Sequence, residues 1–328
     1  MDTAILKKLC SINAVPTQED KVNTIIRDMI KDYVDEISED RFGNMIAHRK
    51  GSGPRFMLTA HTDQIGLMIH GIEENGCLRF TAVGGLIPFT LIGQRVVIND
   101  TVMGTIGVDI DLEAGGDLGK AGVNNMYVDI GVNSKEAAEK KVSIGDFGNF
   151  CSEFYENDEI VMSRALDDRA GCFVLIEVIK ALKESKYDLY FVFTSQEESG
   201  TRGAYTASYS IEPEYGIAVD ITPSGDLPGT KNSTASLGNG AGIKLMDPSL
   251  IINPEMKSML VKGAEDNNIP YQFEVMKRGG TDAGAFQSVQ TGVKSAAVSI
   301  VTRNAHTANE IVSKNDIQAV IDMLISIL

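Results

Sequence analysis

The chain has no tryptophan, so it lacks the flat indole platforms that sugar-binding clefts commonly use. Its four cysteines (Cys10, Cys77, Cys151 and Cys172) are scattered without CxxC spacing. That excludes a disulfide framework and fits reduced thiols in the cytoplasm. No apolar run approaches the roughly 18–20 residues needed to cross a bilayer. The opening MDTAILKKLC has a short apolar stretch and no small-residue cleavage site, so neither a membrane nor a secretory role is expected. Basic residues are in deficit: Lys plus Arg is 30 against 45 for Asp plus Glu, a formal net charge of −15. Such a surface repels phosphate backbones, which excludes nucleic acid as an expected partner. Histidine is scarce at four, so any metal site must lean on carboxylates. The GxGxxG and GxSxG motifs are missing, and Gly119-Lys120 lacks the upstream glycine and following Ser/Thr of a P-loop.

What is present reads as two domains, as 328 residues suggest. Thr17 after Pro16 looks like the N-cap of a helix whose apolar face is Val22, Ile25, Ile26, Met29, Ile30 and Tyr33. Residues 44–48 and Arg55–Ala60 read as strands. From Gly66 to about Glu159, short β-branched runs (Arg95–Ile98, Val102–Val108, Met126–Ile130) alternate with Gly, Asn and Asp turns, with one brief helix near Ser134–Lys141. That is the pattern of a small antiparallel β domain. After Glu159 the order becomes β-α-β-α: a helix at Arg169–Lys183, strands at Asp188–Thr194, Tyr215–Val219 and Lys294–Ile300, and helices near 254–266 and at Lys314–Leu328. Continuous apolar strands alternating with helices imply a sheet covered on both faces. The expectation is an α/β domain made of residues 1–65 and 160–328, interrupted by a β-rich insertion, 66–159.

The chemistry-bearing residues share one place in this order, the strand ends. His61 and Asp63 close RFMLTA, Asp167-Asp168 precede the helix at Arg169, and Glu197-Glu198 follow DLYFVFTS. Asp220 ends YGIAV, and His306 follows AAVSIV. Open α/β sheets bind ligands beyond the carboxyl ends of their strands. So many carboxylates gathered there repel one another unless cations neutralise them, and two divalent ions sharing a bridging carboxylate would do so. Mixed nitrogen and oxygen donors suit zinc, cobalt or manganese better than calcium. Each piece has a bland alternative: a helix cap for Asp167-Asp168, a solvated pair for Glu197-Glu198, an Asx turn for Asp220, a surface histidine for His306. His48 and His70, without neighbouring acids, stay in that class. The functional case rests on all of them meeting at strand ends.

The strings AHTDQIG (60–66), RALDDRAG (164–171), TSQEESGTRGA (194–204), AVDIT (218–222), RGGTDAGAF (278–286) and AHTANE (305–310) resemble the dinuclear metallo-aminopeptidases of the tetrahedral type. That group includes glutamyl aminopeptidases and proteins labelled cellulase M or endoglucanase. The resemblance covers essentially the whole chain and implies a zinc-peptidase-like α/β sandwich with an inserted β-rich domain. By resemblance, His61 and His306 are the imidazole ligands, Asp167 the bridging carboxylate, Glu198 and Asp220 the terminal carboxylates, Asp63 the acid that orients His61, and Glu197 the general base. GGTDAG is expected to line the cleft, with no role derived for Asp282. Gln64 stands where an acid is usual, Ala308 replaces a common proline, and Asn304-Ala305 lacks the usual aromatic. Gln64, on the opposite strand face from His61, is expected to matter little. The implied activity is removal of N-terminal residues from peptides with two divalent ions per chain, zinc or cobalt, or manganese. The implied assembly is a dimer built into a dodecamer through the insertion, whose Leu86, Ile87, Phe89 and Leu91 either meet a partner or fill its own core. Three rival readings are a related di-metal amidohydrolase (carboxypeptidase or deacylase), a metal-free glycoside hydrolase, and a non-catalytic scaffold.

Overall fold

The computed structural model describes residues 1–111 and 114–328. The expected insertion, 66–159, contains residues 112 and 113, which lie outside the described residues. Among the described residues, eleven strands form one sheet. Its centre is four neighbouring parallel strands in the order Asp188–Thr194, Arg55–His61, Tyr215–Pro223 and Lys294–Arg303. Antiparallel strands close it on one side at Met45–Arg49 and Glu36–Glu39, and on the other at Glu310–Ser313, Ile160–Ser163 and Tyr155–Glu156. The central strands are buried along nearly their whole length, which is why they read as unbroken apolar runs.

Helices cover both faces, as expected. The larger core packs Ala4–Ser11, Asp20–Ile30, the helix through Arg169–Ala181, Pro254–Asp266 and Lys314–Ile327 against one face. Ala204, Ala207 and Ile211 of the helix Arg202–Ile211, with Ala283 and Phe286, cover the other. Both layers use small or branched apolar side chains at helical spacing, and their burial supplies the main driving force.

Six strands (Gly66–Ile72, Leu78–Val83, Met126–Asp129, Val102–Val108, Arg95–Ile98, Phe147–Phe150) close into an antiparallel barrel with its own core of Leu67, Ile69, Phe80, Val96, Ile106 and Val128. The barrel ends at Phe150, and Tyr155–Glu156 already pairs within the large sheet. Thr17 is not a cap. Its φ is +75°, the helix starts at Asp20, and Glu19 is the N-cap residue. The Glu19 carboxylate is turned instead toward the loop after Asp188–Thr194, where it accepts the Gln196 N–H at 3.1 Å.

That loop carries Glu197 and Glu198, and a buried asparagine anchors it from the first hairpin. Asn44 Oδ1 accepts the Ser195 N–H at 3.0 Å, and its Nδ2 donates to Asp40 Oδ2 at 2.6 Å and Gly203 O at 2.9 Å. Asn44→Ala leaves the fully buried Ser195 N–H without its side-chain acceptor. We expect it to destabilise the fold by about 1–3 kcal/mol, a lower urea midpoint at constant slope being the check.

Candidate metal centre

The parallel register brings the chemistry together. Thr194 lies beside His61, so the loops leaving these two strands emerge side by side. Asp220 sits on the strand Tyr215–Pro223, next to the one that ends in His61. Asp167 lies at the centre: its Oδ1 is 2.9 Å from His61 Nε2, and its Oδ2 is 3.1 Å from His306 Nε2. One carboxylate thus presents a different oxygen to each imidazole. Asp220 Oδ1 and Glu197 Oε2 both lie 3.9 Å from His61 Nε2, whereas Glu198 Oε2 lies 3.9 Å from His306 Nε2. Two donor groups result, His61 with Asp168 and Asp220, and Asp167 with Glu198 and His306.

The residues behind the donors are equally constrained. Asp63 comes within 3.5 Å of His61 Nδ1, but the closer partner of that nitrogen is the Asp63 backbone carbonyl, at 3.1 Å. The two carboxylate oxygens accept the Glu197 and Glu198 N–H groups, each at 3.0 Å. Asp63 therefore holds the two glutamates in place as well as facing the histidine. Asp168, which the sequence reading left without a role of its own, accepts the His61 N–H at 3.2 Å and the Gly171 N–H at 3.0 Å. Glu310, the last residue of AHTANE, likewise has no role that its spacing signals. Its oxygens accept the N–H groups of His306 (2.9 Å) and Asp167 (3.1 Å), and it holds His306 at a φ of +60°. Asp282 is buried, and its Oδ2 accepts from Thr194 Oγ1 at 2.6 Å. Gln64 faces away from the cluster, toward Arg164, Arg169 and Asn149.

The barrel reaches the centre through one turn. Gly85 O is 2.7 Å from His306 Nδ1, which assigns the proton to Nδ1 and leaves Nε2 facing Asp167. A side chain at Gly85 would put its Cβ 2.9 Å from His306 Nδ1, and at Gly84 (φ +78°) a Cβ would lie 2.7 Å from Glu198 Oε2. Glycine is what allows so close an approach.

Electrostatics show how poorly the cluster tolerates its own charge. Burial, reinforced by neighbouring acids, pushes Glu197, Asp168 and Asp220 well above the usual carboxylate range. Burial pushes Glu198 up to about 7 and Glu310 up to about 8. Asp167 departs the other way: burial opposes its ionisation, but hydrogen bonds from His306 and His61 outweigh that and hold it low. Burial likewise opposes a charge on His61, yet bonds to Asp167 and Asp63 keep it well above its ordinary value. Glu198 Oε1 is buried without a hydrogen-bond partner among the described residues. A buried acid with an unused oxygen, beside two imidazoles and a shared carboxylate, fits divalent cations as the missing counter-charge.

An acid- and imidazole-rich pocket at the carboxyl ends of a parallel sheet defines a metal-dependent hydrolase. The family model of the M42 glutamyl aminopeptidases matches residues 43–323, and the chain belongs to that family. It is therefore a metal-dependent aminopeptidase, and the carboxypeptidase, glycoside-hydrolase and scaffold readings give way. A putative aminopeptidase of Acetivibrio thermocellus is 41% identical, covering 98% of this chain and 96% of its own. Aminopeptidase APDkam598 of Desulfurococcus kamchatkensis superposes with a TM-score of 0.93 at 33% identity, over 98% of this chain and 92% of that one. The Pyrococcus horikoshii TET1 peptidase, which can assemble into a tetrahedron or a large octahedral shell, matches with a TM-score of 0.88 at 32% identity, over 98% and 97% of the two chains. No helix among the described residues is long and apolar enough to cross a membrane.

The direction of these shifts predicts how the metal-free protein responds to pH. Glu198 and Glu310 bind protons in the folded state that the unfolded chain has already lost above its ordinary value of 4.5. Stability is then lost as pH rises from about 4.5 through about 7 to 8, and the raised histidines act in the same direction. Chelated protein should show a thermal midpoint that falls across that window. Added divalent cation should restore it most strongly at the alkaline end.

Proposed function

We propose that this chain removes N-terminal residues from peptides with two divalent cations bridged by Asp167. The observation that carries the reading is the position of that carboxylate, one oxygen toward His61 and the other toward His306. His61 and Asp220 would complete one site, and His306 and Glu198 the other. Asp168, whose two oxygens each accept a backbone N–H, acts as a positioning group. The imidazole–carboxylate donor set favours zinc or cobalt, with manganese as a further occupant. When bound, such cations acidify water and polarise a scissile carbonyl.

The chain's own residues do the rest. Glu197, raised by burial and lining the cleft, takes a proton from the attacking water and returns it to the leaving amine nitrogen. Its N–H bond to Asp63 fixes where that proton acceptor stands. The acidic rim attracts a free α-ammonium group, which favours cleavage at chain ends. Beyond the donors the cleft, about 430 Å³, is lined by Ile221, Leu227 and Met276, with Arg278 beside them. Arg278 forms no ion pair among the described residues. We infer a side-chain subsite for apolar or acidic N-terminal residues, because a lysine there would meet the guanidinium.

The kinetic test uses amino-acid p-nitroanilides with zinc, cobalt and manganese added separately. Leucyl and glutamyl substrates should exceed lysyl in kcat/KM. Glu197→Gln should keep both metals and lose kcat by about 10² or more. Glu198→Gln should lose metal instead, and Asp167→Asn should disturb both sites in elemental analysis. Exchange of the two glutamate phenotypes would refute the roles assigned to them.

Assembly belongs to the same proposal. On the barrel, Leu91 is buried, but Ile87 is 43% and Phe89 60% exposed, so only part of that apolar turn fills its own core. Ile87 faces the metal cleft, whereas Phe89 has no such place; the TET1 peptidase can assemble into a tetrahedron or a large octahedral shell, and the exposed Phe89 supports a similar use of this barrel, through dimers to a dodecamer. Light scattering on the metal-loaded protein at micromolar concentration should give a multiple of the chain mass. The mass of a single chain would overturn the shell.

A further inference from the structure

Behind the strand end that carries His61 and Asp63, two buried guanidinium groups share one neutral acceptor. Arg164 Nη1 donates to Gln64 Oε1 at 3.2 Å, and Arg169 Nη2 reaches the same oxygen at 3.4 Å. Arg164 is 7% exposed and Arg169 not at all. Their other acceptors are carbonyls at the end of the helix Ala4–Ser11: Ser11 for Arg164, Leu9 and Ile12 for Arg169. A helix C-terminus offers about half a negative charge, short of two cations. Neither arginine has a carboxylate in salt-bridge contact among the described residues. Arg169 is offset at longer range by Asp63 and Glu19. Arg164 has Asp100, which is already bonded to Lys21 and Asn13. Buried charge without a counter-ion is costly, so an anion is wanted at Arg164.

A cavity of about 390 Å³ opens on that residue, at the seam between the first helix, the barrel and the strand Ile160–Ser163. Lys7 adds a second cation to its wall, and Ser152 a hydroxyl. Ser11 and Ser163 also line it, while Val97, Phe150 and Phe154 add apolar surface that a bare inorganic ion would not use. Asn13 also lines it, with its Oδ1 buried and unpartnered among the described residues, an acceptor that asks for a donor. These demands select one chemistry: a carboxylate for Arg164 and Lys7, a neighbouring N–H for Asn13, and a short apolar body for the phenylalanines.

We propose that this cavity is a binding site for a free α-amino acid with an apolar side chain, separate from the metal cleft. It stands on the charge and lining of the seam and does not depend on the peptidase mechanism. The test is calorimetric titration of the full-length, metal-loaded protein with leucine, 4-methylpentanoate and inorganic phosphate at constant ionic strength. Leucine should bind saturably and more tightly than either of the others, with a midpoint rise of about 2 °C or more at saturation. Lys7→Gln, at the exposed side of the cavity, should weaken that binding about fivefold or more with kcat on a leucyl p-nitroanilide unchanged. Gln64→Glu supplies Arg164 with an internal carboxylate, so it should fold at least as stably and also bind leucine more weakly. Leucine affinity unchanged in both variants would overturn the proposal. Phosphate binding as tightly as leucine with the same sensitivity would overturn the amino-acid assignment too, leaving a plain oxyanion site.

Discussion

The structure is organised around a charge that the fold alone does not neutralise. Eight acids (Asp63, Asp167, Asp168, Glu197, Glu198, Asp220, Asp282 and Glu310) and two histidines gather around the carboxyl ends of the parallel strands, most of them buried, and burial drives six of these carboxylates toward their protonated form. Asp167 is held the other way by the two imidazoles that flank it. The donor geometry depends on keeping this cluster together without metal. Asp63, Asp168 and Glu310 do that with oxygens that accept backbone N–H groups, fixing the loops on which the donors ride. A rigid parallel sheet, buried on both faces, gives those loops a common origin.

Much of this was legible in the sequence because it follows from local pattern. The central strands announce themselves as apolar runs, and the acids that end them announce the site. The strands at Arg95–Ile98, Val102–Val108 and Asp188–Thr194 have the same limits in sequence and structure. Thr17 misled because its side chain has the right chemistry for a cap, but the backbone there is left-handed and Glu19 is recruited to the loop at Gln196. Glu310 and Asp168 escaped notice for a different reason. Each takes one backbone partner from a distant part of the chain, the His61 N–H for Asp168 and the Asp167 N–H for Glu310, and no spacing rule reports which carboxylate a folded loop will use as an acceptor. Glu310 lies within a motif that had already been singled out for its histidine.

Gln64 shows the limit of reasoning by strand face. It does point away from His61, as alternation requires, but that direction leads to two buried arginines rather than to inert packing. The residue next to Asp63 thereby serves as the shared neutral acceptor of two guanidinium groups between sheet and barrel.

The contact between Gly85 and His306 bears on the history of the molecule. A barrel joined to a catalytic layer only by its two crossing segments is a removable module, free to be lost, swapped or lengthened by recombination. Here its turn delivers a carbonyl to an imidazole of the centre, and two glycines let it sit there. An ancestor that discarded the insertion would have given up the alignment of one histidine along with it. The alignment of that imidazole thus ties the two parts together, and replacement barrels are restricted to those that can bring a bare backbone to the same spot.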